Sequence, residues 1–351
     1  MPVPRRTAHC HRPTHQIEPL FPARDYITGD RFVVGRCVQC GLCVTHPPPP
    51  PERLSQYYPQ SYYGGDRRFN AVVEWLLSFV HRRRAKRFAR GRPPGRVLDV
   101  GCGRGLLLDG LRRLGWRVVG TELDERAAHY ARHRLGLHVF TGSLQGMAFP
   151  DDEFDLVVLW HVLEHLPCPL AVLCEVSRIL RPGGLLVLAV PDFASCEAQW
   201  AGPHWFHLDV PRHLTHFTPR TLEGLVREAG LRVRRRERLC IEYDLFSFVQ
   251  TVQNKAHLPP NLLYNLVRAP SARFPGTGTG AGTRAPHAWQ VALVLITAVP
   301  LGLLSLLYAP LAALFSASGT LTLYAMKPFP PEGGLRKGAP SPALPLSPDN
   351  W

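Results

Sequence analysis

From residue 97 to residue 190 the chain alternates between short apolar runs and segments of helical spacing, and this alternation leaves few folds open to it. Val97–Val100, Arg117–Gly120, Leu137–Phe140, Phe154–Leu159 and Leu185–Val190 read as strands. Leu106–Leu114, Glu125–Leu135 and Leu170–Leu180 read as helices between them. The fourth run is apolar throughout, as suits a strand covered on both faces. Strands that alternate with helices are joined by crossovers, which gives a parallel sheet with helices on both sides. Another helix, with Thr218 as N-cap and Pro219 in its first turn, ends at Gly230 and leads into a sixth strand, Leu231–Ile241. Leu321–Met326 supplies a seventh. The expected architecture is a doubly wound α/β sheet of seven strands.

The first strand runs into Gly101-Cys102-Gly103-Arg104-Gly105 and then a helix. Glycines let bare backbone approach a ligand, and the helix presents its N-terminus to the same crevice. Taken alone this is an ordinary tight turn. Two acids add to it. Glu122 ends the second strand about 20 residues on, where a ribose diol would sit. Asp99 stands inside the first strand, placed to hold a cationic amine. The Gly-x-Gly-x-Gly spacing differs from the Gly-x-Gly-x-x-Gly of dinucleotide sites, which disfavours a nicotinamide cofactor.

VLDVGCGRG (Val97–Gly105) resembles the first motif of class I S-adenosylmethionine-dependent methyltransferases. FDLVVLWHVLEHL (Phe154–Leu166) resembles their fourth-strand motif, and RILRPGGLLVLAVP (Arg178–Pro191) their approach to strand five. The likeness extends over roughly 39–327. CGLCVTHPPPPPERLSQYY (Cys40–Tyr58) and HWFHLDVPRHLTHFTPRTL (His204–Leu222) resemble a bacterial subfamily in which a small cysteine module precedes the catalytic domain. The resemblance implies a Rossmann-like methyltransferase sheet and S-adenosylmethionine as cofactor. It assigns the cofactor to Asp99, Gly101, Cys102, Gly103, Gly105, Glu122 and Leu123. The TGSL segment after the third strand, with Ser143 and Leu144, would line the adenine, and Trp160 with His161 would flank the cofactor beyond strand four.

Methyl transfer needs an acceptor aligned with an activated methyl, and a hydroxyl acceptor benefits from a base. Histidines at loop positions, namely His161, His165, His204, His207, His213 and His216, are the candidates, and His161 and His213 are favoured. His161–His165 also spells the H-x-x-E-H pattern of a zinc peptidase. It follows a buried strand instead of lying on a helix, so the match is read as accidental. In ubiquinone-biosynthesis O-methyltransferases, which the chain also resembles, a Glu-x-x-Glu-His stretch here binds a divalent ion. This chain keeps Glu164 and His165 but has His161 for the first glutamate.

Residues 1–46 carry Cys37-x-x-Cys40, Cys43 and Cys10 and are expected to form a zinc-ribbon-like module, with Cys10, Cys37 and Cys40 as ligands of a structural zinc. Residues 47–94 read as linker and basic helix, 95–250 as catalytic core, 251–318 as linker and hydrophobic insertion, 319–328 as final strand and 329–351 as tail. The nine cysteines, with no N-terminal apolar run before them, suit a reducing cytoplasm.

Ala288–Ser318 has no charged residue. Pro300 and Pro310 divide it, and the chain must return to the sheet, so a shallow hairpin in one leaflet is expected. The Phe69–Arg90 segment, apolar and then basic, would lie beside it with its arginines at the headgroups. A peripheral site on the inner face of the cell membrane follows, with a small-molecule, lipid-linked or glycan acceptor and O-methylation favoured. Two rivals are an NAD-dependent oxidoreductase and a non-catalytic zinc or nucleic-acid-binding protein. The net charge of +14 suits the latter, but the repeated aromatic and basic platforms of such proteins are missing from the sequence.

Overall fold

The computed structural model describes residues 16–59, 69–268, 286–315 and 317–330. They form two sheets. The smaller begins with an antiparallel meander of β1 (Ile17–Arg24), β2 (Arg31–Cys37) and β3 (Cys43–His46). Helix α1 (Ala71–Ala89) follows, with the Asn70 side chain capping Val73 N.

The alternating region then folds as expected: β4 (Arg96–Val100), α2 (Leu106–Arg112), β5 (Arg117–Glu122), α3 (Glu125–Leu135), β6 (Val139–Thr141), β7 (Phe154–Trp160), α4 (Pro169–Ile179) and β8 (Leu180–Pro191). Beyond these come α5 (Cys196–Ala201), the short β9 (Thr215–His216), α6 (Pro219–Glu228) and β10 (Arg232–Glu237). Then come α7 (Ile241–Lys255), α8 (Leu262–Val267), α9 (Ala288–Leu314) and β11 (Thr320–Met326). The larger sheet has the order β10-β11-β8-β7-β4-β5-β6, with only β11 antiparallel to its neighbours. Successive strand residues face opposite cores. Leu98, Val157 and Leu186 pack with α4 and α6, whereas Val97, Leu156 and Leu185 pack with α1 and α2.

Three expectations change. The sixth strand stops at Glu237, because Cys240 N bonds to the Asp244 carboxylate (2.8 Å) and opens α7. Glu242 and Asp244 in the first turn of α7 complement its positive end. The expected hairpin in Ala288–Ser318 is instead one continuous 27-residue helix. Each internal proline removes one N–H from the ladder, but a packed stripe from Val294 to Ala312 runs past both and holds the helix together. Finally, α1 is not a simple surface helix. Arg84, Ala85 and Phe88 are buried, with Ala85 seated against Gly110 of α2.

The boundary expected at residue 46 is bridged. β9 pairs with β3 and completes the small sheet as its fourth strand. Arg212, fully buried, bonds to the Asp25 carboxylate (2.7 Å), to Asp209 and to the carbonyl of Tyr57 (3.0 Å). Removing one partner of a buried pair strands the other charge, so Asp25→Ala should lower unfolding free energy by about 3–5 kcal/mol. The urea midpoint of the purified chain measures it, and an unchanged midpoint would contradict this role.

Candidate active site

The chain runs from β4 to β5 and β6 on one side, and β7 and β8 lie on the other. A crevice therefore opens at the carboxyl ends of β4 and β7, where the strand order reverses, with the end of β5 beside it. Gly101 has φ +67°, and a Cβ there would stand 2.6 Å from Val162, so the turn after β7 sits directly on the glycine loop. Gly103 also has positive φ, with open space where its Cβ would be. This is the bare backbone a ligand can approach. Gly105 instead packs beneath Leu137, at the start of α2.

Glu122 reaches across the crevice mouth. Its Oε2 accepts Gly103 N (2.7 Å), and its Oε1 accepts Leu123 N (2.8 Å) and Asp124 N (2.9 Å). Burial raises its pKa above the usual carboxylate range, although these three N–H groups pull the other way. Asp99, buried beneath the loop, is pushed up to about 8 by loss of solvent; nearby Arg84 lowers it and Glu122 raises it. Two buried acids on one crevice make a site complementary to a cation that also carries hydroxyl groups.

Among the other expected cofactor residues, Cys102 turns its sulfur toward Gly120 and packs with α3 neighbours, so only its backbone lines the loop. Leu123 is exposed beside Glu122. Ser143 is exposed on the turn after β6, whereas the Leu144 side chain is in the core. The two strand ends are tied together by Gly142 N bonding to Glu122 O (2.9 Å).

Trp160 ends β7 with Phe88 on one side (centroids 5.6 Å) and the Arg84 guanidinium 3.9 Å from its ring. Arg84 is ion-paired with Glu242 of α7. His161, at φ +54°, stacks on Tyr243 (4.2 Å) and shares Nδ1 with Glu164 Oε1 (3.3 Å). Burial lowers its pKa to about 3, so it is neutral near pH 7, and its Nε2 has no hydrogen-bond partner.

His213 is elsewhere, beside His165 (ring centroids 4.6 Å). Glu164, His165 and His213 each present one ligand atom within 4.8 Å of the others. The two imidazoles spend Nδ1 on the carbonyls of Arg212 (3.0 Å) and His207 (2.8 Å), leaving Nε2 as acceptor. Glu164 Oε2 is buried without a hydrogen bond, and burial raises this acid to about 7. One carboxylate and two oriented imidazoles suit a divalent transition-metal ion. Of the expected zinc ligands, Cys10 lies outside the described residues; Cys37 is buried in the core and Cys40 exposed. No three-ligand cysteine group occurs among the described residues.

Sequence reasoning offered His207 as one of six candidate histidines but missed the rest of the wall opposite the crevice. Tyr243 of α7 and His207 stand next to His161. Beyond them, Asp244 Oδ1, Glu197 Oε2 and His207 Cδ2 lie 3.4, 3.7 and 3.9 Å from where a Cβ on Gly319 would stand. Glu197 is anchored by Thr251 (2.6 Å) and Ser247. These residues come together only because the segment between β10 and β11 folds back over the carboxyl edge. The one available signal was the run of acids Glu242 and Asp244 in an otherwise apolar segment.

Residues 72–235 match a family model described as a methyltransferase domain. The chain is 30% identical over 148 residues to a ubiquinone biosynthesis O-methyltransferase of Cereibacter sphaeroides, covering 39% of this chain and 60% of that protein. It is 37% identical over 158 residues to the enzyme of the same name from Xanthomonas campestris pv. campestris, covering 40% and 64%. The chain thus spans less than two thirds of the length of these relatives. A methyltransferase structure from Archaeoglobus fulgidus aligns with 71% of this chain and 94% of its own, at 18% identity and TM-score 0.43. Residues 72–235, which include the Gly101–Gly105 turn and Glu122, are thus a methyltransferase domain of the class I, S-adenosylmethionine-dependent kind.

Proposed function

We propose that this protein transfers a methyl group from S-adenosylmethionine to an oxygen of a small-molecule acceptor. The observation that carries the reading is the pair of buried acids, Asp99 and Glu122, across a glycine turn with open space at Gly103. Glu122, held in place by its three backbone N–H partners, would accept the ribose hydroxyls on its remaining lone pairs, and Asp99 would face the positive charge of the methionine end. The cofactor supplies a methyl already activated on a sulfonium. A dinucleotide fits less well, since the loop has the Gly-x-Gly-x-Gly spacing and not the Gly-x-Gly-x-x-Gly that seats a pyrophosphate.

Trp160 and Val162 would cover the cofactor and exclude water. His161 is the proposed base on geometry: next to the loop, held by Tyr243 and Glu164, with Nε2 left without a hydrogen-bond partner to take a hydroxyl proton. Glu164, His165 and His213 would hold a divalent ion that orients the acceptor oxygen, which makes His213 a positioning residue in this reading. The relatives' being O-methyltransferases supports oxygen as the acceptor atom. A structural zinc on Cys10, Cys37 and Cys40 would be separate from this chemistry. The acceptor is read as amphipathic, a lipid-linked or glycan compound, because a long, uncharged and mostly apolar helix adjoins the acceptor wall.

Three measurements test this. Calorimetric affinity for S-adenosylmethionine should fall on the order of 100-fold or more in Glu122→Ala, which loses two charge-assisted hydrogen bonds. Wild-type binding unchanged by that substitution would sink the cofactor assignment. Because the free Asp99 acid sits near pKa 8 and a bound cation favours the carboxylate, binding at pH 7 should release about one proton. Affinity should therefore rise with pH and level off above about 8. Asp99→Asn removes that pH dependence. Finally, transfer of labelled methyl into a total lipid extract should drop about 10²–10⁴-fold in His161→Asn, with cofactor affinity retained.

A further inference from the structure

We infer that α9 is a bilayer-facing element which seats the protein in one leaflet of an anionic membrane, with the acceptor entrance on that side. The statement about the acceptor rests on the methyl-transfer reading above; the bilayer contact does not.

The covered face of α9 is made of Val294, Ser305, Ala309 and Ala312, mostly small residues. The opposite face carries Ile296, Val299, Leu303, Leu307 and Leu314, each more than 60% exposed. A helix meeting water on one side does the reverse, hiding its large apolar residues and showing polar ones. Here the large side chains point outward along the helix, roughly 40 Å at 1.5 Å per residue, and no residue of it is charged.

Length alone would allow a crossing, but the packing forbids one. The covered stripe runs from Val294 to Ala312, so one side rests on α7 and α8 for most of its length. The chain also leaves the sheet at β10 and returns at its neighbour β11. A helix fixed in this way lies in the membrane plane.

Charge argues for lipid over a second copy of the chain. On α1, Val72, Trp75, Leu76 and Phe79 are exposed, and the same stripe continues into exposed Arg83, Lys86 and Arg90. The start of α1 is tied to α8, which carries α9: Asn70 N bonds to Val267 O (3.2 Å) and Phe69 pairs with Arg268. A net charge of +14 opposes self-association and favours anionic headgroups. The excursion that contains α9 springs from the carboxyl edge of the sheet. Tyr308 of α9 stacks on Phe248 of α7 (4.4 Å), and the same α7 places Tyr243 on His161 (4.2 Å). The lipid-facing helix and the proposed base are therefore joined through a single helix. This geometry suits an acceptor with an apolar tail and a polar head.

Flotation of the full chain with vesicles of phosphatidylcholine, with and without phosphatidylglycerol, tests the inference. The wild type should float with the anionic vesicles. Leu303→Asp/Leu307→Asp, both outward-facing, should lower partitioning on the order of 100-fold. Arg83→Glu/Lys86→Glu should erase the preference for phosphatidylglycerol. Both variants should keep cofactor affinity by calorimetry, which shows them folded; loss of cofactor binding by the wild type would sink the methyl-transfer reading alone. Undiminished flotation of the aspartate variant would overturn the bilayer contact. So would a wild type that stays in the aqueous phase as a discrete dimer which the aspartate variant converts to monomer, since a second copy would then cover α9.

Discussion

One carboxylate joins the two halves of the cofactor crevice. Glu122 ends β5, yet it accepts the N–H of Gly103 in the loop after β4, along with two N–H groups of its own turn. The neighbouring peptide of Glu122 ties β5 to the turn after β6. Burial makes that charge expensive, and the N–H groups offset the cost. The result is a preorganised acceptor of hydrogen bonds, fixed before any ligand arrives. Val162 resting on Gly101 brings the turn after β7, and with it His161 and Glu164, to the same place.

Across this frame the electrostatics divide into separate neighbourhoods. Near the glycine turn the acids dominate, and Arg84 moderates Asp99 without neutralising it. Around His161 and His207 desolvation dominates, so both imidazoles stay neutral. An approaching cation would draw Asp99 toward its carboxylate form, while the imidazoles on the far side stay uncharged.

The sheet was legible from residues 97–190 because its central strands β4 and β7 are mostly apolar and covered on both faces, and breaker residues separate them from the helices. Glu125–Leu135, for example, was bounded correctly by Asp124 and Gly136. The glycine turn and Glu122 were legible for the same local reasons. Arg84 was not: in the sequence it is one of three consecutive arginines, and only the packing of Ala85 and Phe88 on the sheet shows which arginine turns inward. Tyr243 and Glu197 were hidden, and the place of His207 beside them could not be read, because they meet through contacts between segments distant in the chain. The prolines of α9 misled for a related reason, since a local rule about helix breaking was overruled by continuous side-chain packing.

The segment 238–319 begins and ends on two strands that are hydrogen-bonded neighbours, Glu237 facing Thr322. Its closure therefore grows more costly only as the logarithm of its length. The half of the sheet that carries the glycine turn has no residue in it. The segment can accordingly be enlarged, shortened or exchanged at this socket while the half of the sheet that carries the glycine turn stays as it is.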